Sequence, residues 1–342
     1  MPEILNTLYV QTQGTVLRLE SDTVRATLKG EPVARVPLAR LSGIVVFGNV
    51  TVSPFLIHRC AQDGRMLAWF TLSGRFRARL QGPVGGNVLL RRAQHGALDD
   101  PGSTLHIARQ MVAAKLQNCR QVLLRAAREA EDGEDEQPLR SVAERQASLL
   151  ESLPRLEDLN QLRGAEGEAA RAYFSAFPHM IRSSREAYGM EGRNRRPPRD
   201  PINALLSFLY ALLRGDCEGA LEGVGLDPQV GYLHALRSGR PALALDLMEE
   251  LRPILADRVA LTLVNRQQVK PEDFEATGGV RLSDGARRTV LTAYQQRKEA
   301  EIQHRLLKGK IPLGLVPHVQ ARLLARYIRG DIKTYPPYVA GG

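Results

Sequence analysis

The sequence changes character near residue 100, and this change restricts its possible folds more than any other feature. The first ninety residues contain short segments rich in β-branched and aromatic residues that often alternate with polar ones, such as TVLRLES, TVRATLK, GIVVFG and MLAWFTL. Such segments predict β-strands. One exception, SPFLIHRCAQDG (53–64), has helical spacing. Residues 1–95 are therefore expected to form a small antiparallel β domain with one helix.

Longer periodic segments follow. Ser103 is a candidate cap for a long helix with apolar or small residues at 107, 111, 114 and 122. Residues 96–102 are interpreted as a linker, 131–138 (EDGEDEQP) as a solvated loop, and 335–342 (YPPYVAGG) as a flexible tail. Further helices are expected at 138–153, 164–178, 201–214, 243–259, 287–307 and 316–329. The predicted fold class is α+β, with the β domain followed by a larger, mostly α-helical catalytic domain at 103–334.

Composition limits the kind of partner. The chain has 342 residues, is 43% hydrophobic and carries a formal net charge of +10, so a globular protein that attracts polyanions such as nucleic acid is expected. No membrane-spanning run and no secretory signal are visible. Three widely spaced cysteines suggest neither a zinc site nor a disulfide framework, which is typical of a reducing cytoplasm.

The segment 164–178 places one carboxylate on an apolar face. At 100° per residue, Glu166 shares a face with Ala169, Ala170 and Tyr173, whereas Glu168 lies on the opposite face. An inward carboxylate is costly unless it is paired or binds a metal ion. A functional role for Glu166 is one interpretation; capping of the helix start or pairing with an arginine is the other.

A second acidic group lies on the segment 243–259. Asp246 and Glu249 are three residues apart, so their carboxylates are neighbours and a metal ion would relieve their repulsion. A solvated acidic face is the alternative. Pro253 cannot donate to the carbonyl of Glu249, so a bend is predicted just past the pair. His234 precedes this segment; neutral imidazole with carboxylates suits Mn²⁺ or Mg²⁺, although an isolated histidine is also commonly structural.

Together these motifs resemble a known family. GAEGEAARAYF followed by LHALRSGRPALALDLMEELRP, with GIVVFGNVTVSP, GPVGGNVLLRRAQ and DPINALLSFLYALL elsewhere, is similar to the CRISPR-associated integrase, the metal-dependent DNA endonuclease of the spacer-acquisition machinery. The resemblance covers essentially the whole chain and is closest to the type I, subtype C branch.

The resemblance implies the site residues. The family's metal ligands fall on Glu166, His234 and Glu249, with Asp246 as a second acidic position near the metal, and Mg²⁺ or Mn²⁺ as the cofactor. Many relatives have Asp where this chain has Glu249, which leaves ligand distance and metal preference open. Supporting polar residues are expected at Asn203 and Tyr210, or at Tyr188.

The implied reaction joins the 3′-hydroxyl ends of a short DNA fragment to a CRISPR repeat by transesterification, with cleavage of branched DNA as a side reaction. Arg237 and Arg240 are candidates for holding the phosphate, or for salt bridges to the nearby acids. A basic loop is a candidate for the DNA backbone, and Tyr188 for stacking on a duplex end. The basic residues of this loop are Arg193, Arg195, Arg196 and Arg199.

The implied partners are DNA, a second copy of the chain bound through the β domains, and a small ferredoxin-fold acquisition protein. A RecB-like nuclease is a further partner in related subtypes. Three alternative functions remain at this stage: a general branched-DNA repair nuclease, a DNA-binding scaffold without catalysis, and an RNA-processing enzyme.

Overall fold

The computed structural model describes residues 7–72, 76–82, 88–130, 133–195, 197–276, 278–307 and 309–341. The chain divides into two units, Met1–Gly86 and Asn87–Gly342. The division falls earlier than the predicted linker at 96–102, because residues 88–99 form a helix of the second unit rather than the end of the first.

The first unit is built from two four-stranded sheets, with strand orders β1-β5-β7-β8 and β4-β3-β2-β6. Its strands in the described residues are β1 (Thr7–Val10), β2 (Thr15–Glu20), β3 (Thr23–Leu28), β4 (Glu31–Pro37), β5 (Gly43–Phe47), β6 (Thr51–Val52), β7 (Met66–Phe70) and β8 (Phe76–Arg79). The predicted β character of this region is confirmed.

The pairing within these sheets is mixed. β2–β3, β3–β4 and β7–β8 are antiparallel, whereas β1–β5, β5–β7 and β2–β6 are parallel. Sequence alternation predicted antiparallel sheets, but alternation reports only which face a side chain occupies. The direction of a neighbouring strand depends on the connection. Here the chain passes from β5 to β7 through the helix α1 (Pro54–Gln62), a crossover that makes the two strands parallel.

Both sheets and α1 contribute to one apolar core in the first unit. Leu17, Ile44, Leu56 and Leu67 are fully buried in it. The predicted helix at 53–64 is confirmed: Ser53 is its N-cap, and its side chain accepts a hydrogen bond from the backbone N–H of Leu56 at 3.4 Å.

The second unit is mostly helical, as predicted, with two short hairpins. Its helices are α2 (Val88–Asp99), α3 (Pro101–Arg128), α4 (Gly133–Ser152), α5 (Leu159–Ala176), α6 (Arg185–Tyr188), α7 (Pro201–Gly223), α8 (Ala242–Glu249), α9 (Arg258–Asn265), α10 (Asp284–Glu299) and α11 (Val316–Ile328). The hairpins are β9 (Phe274–Ala276) with β10 (Val280–Leu282), and β11 (Glu301–Gln303) with β12 (Lys310–Pro312). None of the helices described is long and apolar enough to cross a membrane.

Several helix ends differ from the prediction. Asp100, not Ser103, caps α3, because its carboxylate accepts from the backbone N–H groups of Gly102 and Ser103. The predicted acidic loop belongs to α4 from Gly133 onward, where its acids lie in the first turn and favour the positive end of the helix dipole. The helix predicted for 287–307 ends at Glu299, and residues 301–303 form a strand.

The helix predicted for 243–259 is interrupted just past the acidic pair. α8 ends at Glu249, and a π-helical segment, Arg252–Asp257, leads into α9. Pro253 has no N–H to donate to the preceding turn, which favours a wider turn here. This segment carries Arg252 and Asp257, both of which lie near the candidate site described below.

The C-terminal segment is packed rather than flexible. Tyr335 is 1% exposed and Tyr338 is 4% exposed. The Tyr335 hydroxyl donates to Glu250 Oε1 at 2.5 Å, and the backbone N–H of Tyr338 donates to Glu250 Oε2 at 2.7 Å. The interpretation of 335–342 as a flexible tail is therefore wrong for these residues, because their hydrogen-bond partner lies 85 positions earlier in the chain.

Candidate active site

The first acidic residue of the candidate site is Glu166 on α5. This helix is capped by Asp158, which accepts from the backbone N–H groups of Asn160 and Gln161 at 2.7 and 2.8 Å. The Glu166 side chain is 24% exposed and pairs with Lys115 of α3. Glu168, two positions on, is 39% exposed and pairs with Arg145 at 2.9 Å. The two glutamates thus have the different surroundings that helical periodicity indicated.

Glu249, at the end of α8, is held among cations. Lys115 Nζ lies 2.7 Å from Glu249 Oε2, and Arg252 NH1 lies 2.8 Å from Glu249 Oε1. Burial alone would raise the pKa of this carboxyl group, but Arg252, Lys115 and His234 outweigh burial and lower the pKa to about 2. Glu249 is therefore ionised throughout the physiological range, although its side chain is only 2% exposed.

Lys115 joins the two glutamates. Its side chain is 9% exposed, and its ammonium group forms ion pairs with both Glu166 and Glu249. Burial opposes its charge, but the carboxylates of Glu249 and Glu166 outweigh burial and raise the pKa of Lys115. The ammonium therefore stays charged between the two carboxylates.

His234 is oriented by Asp246. Nδ1 of His234 lies 2.6 Å from Asp246 Oδ1. Because an ionised carboxylate can only accept, Nδ1 carries the proton, and Nε2 has a free lone pair whenever the ring is neutral. Nε2 lies 3.7 Å from Glu249 Oε1. The imidazole therefore presents its available nitrogen to the glutamate.

Asp246 is fully enclosed, and both of its oxygens accept hydrogen bonds. Besides His234 Nδ1, they accept from the backbone N–H groups of Tyr232, Leu233 and His234 at 2.6, 2.9 and 2.9 Å. The sequence prediction placed Asp246 beside the metal as a ligand. These contacts instead suit a residue that holds the loop at 232–234 and the histidine ring, as carboxylates behind metal-binding histidines do.

The chemistry of the donors fits a hard divalent cation. Glu166 and Glu249 supply carboxylate oxygens, and His234 supplies an imidazole nitrogen. Oε2 of Glu249 is buried, and the described group that pairs with it is Lys115 Nζ at 2.7 Å. Within the described residues no three His, Cys, Asp or Glu side chains are already gathered as a metal cage. The ammonium group of Lys115 lies between the two carboxylates that would have to close on an ion.

The arginines after His234 lie on the loop before α8. Arg237 is exposed and Arg240 is half-buried. One interpretation of the sequence paired them with the nearby acids. Glu249 pairs instead with Lys115 and Arg252, and Arg237 makes no side-chain ion pair in the part of the chain that the structure describes.

The basic loop before α7 contains both structural and exposed residues. Arg193 is fixed by hydrogen bonds to Asn203 Oδ1 at 2.6 Å and Ser207 Oγ at 3.1 Å. Asn203 is fully buried and also donates to the carbonyl of Gly192 and to Asp200, so it anchors the loop. Arg195 and Arg199 are exposed. Arg196 lies outside the described residues.

The two predicted tyrosines have different surroundings. Tyr188 is 2% exposed, and its hydroxyl donates to the carbonyl of Val269 at 2.7 Å, so its ring cannot stack on a DNA end in this conformation. Tyr210 lies beside the candidate site: Arg252 stacks on its ring with 4.9 Å to the centroid, and its hydroxyl donates to Asp257 Oδ1 at 2.7 Å. Burial raises the pKa of Asp257 to about 6.

Sequence reasoning missed Lys115, Arg252 and Asp257. A signal for Lys115 existed, because it is four residues after Met111 and seven before Val122, on the apolar stripe of α3. The argument applied to Glu166 was that a charged side chain on an apolar face is costly unless it is paired or functional. The same argument holds for Lys115. No comparable local pattern distinguishes Arg252 from the many other arginines.

Comparison with known proteins identifies the family. The model of the CRISPR associated protein Cas1 family matches residues 8–296. A curated relative from Moorella thermoacetica, named CRISPR-associated endonuclease Cas1 1, is 55% identical over 338 residues, which are 98% of each chain. A Geobacter sulfurreducens protein named as a Cas4 exonuclease and Cas1 endonuclease fusion is 37% identical over 97% of this chain and 60% of its own length.

Solved structures share the fold. A casposase bound to integration product matches with a TM-score of 0.82 and 20% identity over 97% of this chain and 93% of the other. A chain of a Cas6-RT-Cas1–Cas2 complex matches with a TM-score of 0.82 and 22% identity over 99% of this chain and 36% of the longer one. The family match and the identity to the curated relatives lead to one conclusion: this chain belongs to the Cas1 family of CRISPR-associated proteins.

Proposed function

We propose that this chain is a metal-dependent DNA endonuclease and integrase that joins the 3′-hydroxyl ends of a short DNA fragment to a CRISPR repeat. Its curated relatives carry the name endonuclease, and a casposase bound to integration product has the same fold. The observation that carries the proposal is the oriented histidine. Asp246 holds Nδ1 of His234, and Nε2 faces the ionised Glu249 at 3.7 Å.

The residues that would hold Mg²⁺ or Mn²⁺ are Glu166, His234 and Glu249. When bound, such an ion polarises the scissile phosphate and makes the attacking hydroxyl more acidic. The chain contributes the orientation: Asp246 keeps the proton on Nδ1 of His234, and Arg252 fixes one oxygen of Glu249. Arg252 is itself held on the Tyr210 ring, so the carboxylate is aligned before substrate arrives.

DNA would approach the exposed side of this site. Arg237, on the loop next to His234, is exposed and suits a phosphate contact, with Arg240 beside it. Arg195 and Arg199 are also exposed and are further candidates for phosphate contacts. A cleft of about 660 Å³ in the second unit adds further basic candidates. Burial and the charges of Arg125 and Arg297 lower the pKa of Arg258 there to about 10, so an anion would relieve their repulsion.

The partners follow from the family. A second copy of the chain and a small ferredoxin-fold acquisition protein are proposed. The solved Cas6-RT-Cas1–Cas2 complex, which contains a chain of the same fold, supports a partner of the Cas2 kind. The fusion of a Cas1 relative to a Cas4 exonuclease supports a RecB-like nuclease as a further partner. DNA is the substrate, and the cytoplasm is the proposed location.

The test is a joining assay. Purified wild type and His234→Ala receive a fluorescent short duplex with 3′-hydroxyl ends, a plasmid carrying a repeat, the small partner protein, and Mn²⁺, Mg²⁺ or EDTA. His179→Ala is a matched control, since His179 also pairs with a carboxylate, Asp135, at 2.8 Å. We expect metal-dependent transfer of label by wild type and His179→Ala, and none by His234→Ala, with DNA binding retained by all three.

The alternatives predict other outcomes. A repair nuclease would cut branched DNA and leave the repeat plasmid unlabelled, whereas a scaffold would bind DNA and show neither reaction. Joining by His234→Ala at the wild-type rate would remove this histidine from the site.

A further inference from the structure

Lys115 has no place in the proposed reaction, yet it occupies the centre of the donor set. It is almost fully buried on α3, and its ammonium group contacts one oxygen of Glu166 and one of Glu249. These are the two carboxylates that would coordinate the ion. The ammonium group is therefore already the cation that keeps the two acids together.

The contact uses the oxygen that an ion would need. Nζ of Lys115 lies 2.7 Å from Oε2 of Glu249, the distance of a charge-assisted hydrogen bond. A metal ion bound through the same oxygen would compete with the ammonium group for it.

The two candidate carboxylate ligands already face two cations. Glu166 and Glu249 carry two negative charges, and Lys115 and Arg252 carry two positive charges that pair with them. A divalent ion added to this arrangement would meet two cations at close range in a buried site, where repulsion is strong. Either a cation moves away or a further anion arrives.

We propose that Lys115 is a built-in competitor of the divalent ion: its ammonium group holds Glu166 and Glu249 together in the metal-free protein and withdraws when the ion enters. The proposal rests on the metal site proposed above. Arg252 is less suited to withdraw, because its guanidinium is stacked on Tyr210. The flexible four-carbon stem of a lysine permits such an exchange, whereas a stacked arginine is held in place.

The exchange links the metal to DNA. Once it leaves the carboxylates, the ammonium group needs a new anion, and a backbone phosphate at the site supplies one. Lys115 therefore weakens metal binding by the free protein and weakens it less when DNA is present. Such coupling keeps the nuclease centre unloaded until its substrate arrives.

The test measures Mn²⁺ affinity directly, from the electron paramagnetic resonance signal of free Mn²⁺, with wild type and Lys115→Met. Methionine keeps the length of the side chain without its charge. We expect Lys115→Met to bind Mn²⁺ at least about tenfold more tightly than wild type without DNA. A duplex with 3′-deoxy ends, which cannot join, should tighten binding by wild type more than by the variant.

Lys298→Met is the matched control. Lys298 is a second buried lysine of the same unit, 4% exposed, and its Nζ lies 3.0 Å from Asp216. Its loss removes a buried ion pair without touching the candidate ligands, so Mn²⁺ affinity should stay at the wild-type value. A similar gain in both variants would mean that lost stability, not lost competition, tightens the binding, and would overturn the proposal.

Thermal melting separates folding from binding. Mn²⁺ should raise the melting temperature of Lys115→Met more than that of wild type, because tighter binding to the folded state stabilises it more. The double variant Lys115→Met with Glu166→Gln removes both charges of one pair. It should fold and lose the tight Mn²⁺ binding.

The two proposals fail in different ways. Equal Mn²⁺ affinity in wild type and Lys115→Met would overturn the role of Lys115 and leave the metal site intact. Weaker binding by Lys115→Met would also overturn it. If no variant binds Mn²⁺ specifically, with or without DNA, the proposed metal site is overturned. The proposed competition by Lys115 is then overturned as well.

Discussion

Glu249 and Glu250 are adjacent, equally buried and chemically identical, yet Glu249 is surrounded by cationic side chains and Glu250 by neutral hydrogen-bond donors. Glu249 faces Lys115, Arg252 and His234, and these groups lower its pKa to about 2 against the effect of burial. Glu250 faces neutral donors: the Tyr335 hydroxyl, the backbone N–H of Tyr338 and the amide of Gln320. Burial prevails there and raises its pKa to about 7.

Glu249 and Glu250 therefore have different roles within one short segment. Cations keep Glu249 charged, so it can bind a cation; hydrogen bonds make Glu250 an anchor for the C-terminal segment. The surroundings of Glu249 and of Glu250 are also connected through α3. Asn118, one turn after Lys115, donates to the carbonyl of Glu250 at 2.7 Å and to the carbonyl of Tyr338 at 2.9 Å. The anchor thus supports the element that carries the lysine.

The largest expected effect contrasts the two glutamates directly. Glu249→Gln removes a candidate metal ligand and should lower the joining rate by about a thousandfold or more. Glu250→Gln keeps the shape of the anchor and should lower the rate only a few-fold. Joining rates and Mn²⁺ binding of both variants test this prediction. Similar losses of joining rate in the two variants would mean that Glu249 and Glu250 do not have the different roles proposed.

Removal of the anchor's partners should destabilise the protein. Deletion of residues 335–342 exposes apolar surface around two buried tyrosines and leaves Glu250 without its donors, for an expected loss of about 3–5 kcal/mol in the free energy of unfolding. Denaturant unfolding measures the loss. Deletion of only Gly341 and Gly342 is the control, and an equal loss in that variant would show that the tyrosines are not the cause.

The pH dependence of stability should have opposite signs for the two residues. The pKa of Glu250 rises on folding from 4.5 to about 7, so its contribution is most favourable below pH 4.5 and is lost as the pH rises toward 7. The pKa of Glu249 falls on folding from 4.5 to about 2, so its contribution is present above pH 4.5 and is lost as the pH falls toward 2.

Glu250→Gln should therefore remove a decline on the order of 3 kcal/mol between pH 4.5 and 7. Unfolding free energies of wild type and variant across this range give the comparison. Parallel curves would show that Glu250 does not titrate in this way.

The smallest expected effect concerns the orientation of His234. Asp246→Asn keeps the size of the side chain but no longer holds the ring as a charged acceptor, so Mn²⁺ affinity should fall by about 10- to 100-fold. Asp135→Asn, beside His179, is the matched control with no expected change in affinity. A complete loss of Mn²⁺ binding in Asp246→Asn would instead indicate a direct ligand.

Local sequence pattern predicted the two-part organisation of the fold and one residue of the candidate site, Glu166. The change from alternation to helical spacing placed the α+β organisation, and periodicity turned Glu166 inward, because both depend on neighbours within one or two turns. Local pattern also drew attention to His234 and Glu249, but their assignment as metal ligands came from the family resemblance. Lys115 was missed although its place on the apolar stripe of α3 was visible in the sequence. Tyr188 was assigned to DNA although its ring is buried, because burial depends on which segment of the chain packs over a residue.

The sequence by itself determined the two-part architecture, the break in the helix near Pro253 and the residue types gathered before and within α8. Only the tertiary structure decided which of them act together. Lys115 meets Glu166 across 51 positions, and Tyr335 meets Glu250 across 85. Such contacts have no local signal, because they depend on how α3, α5, α8 and the C-terminal segment pack. That packing lowers the pKa of Glu249 and raises the pKa of its neighbour Glu250.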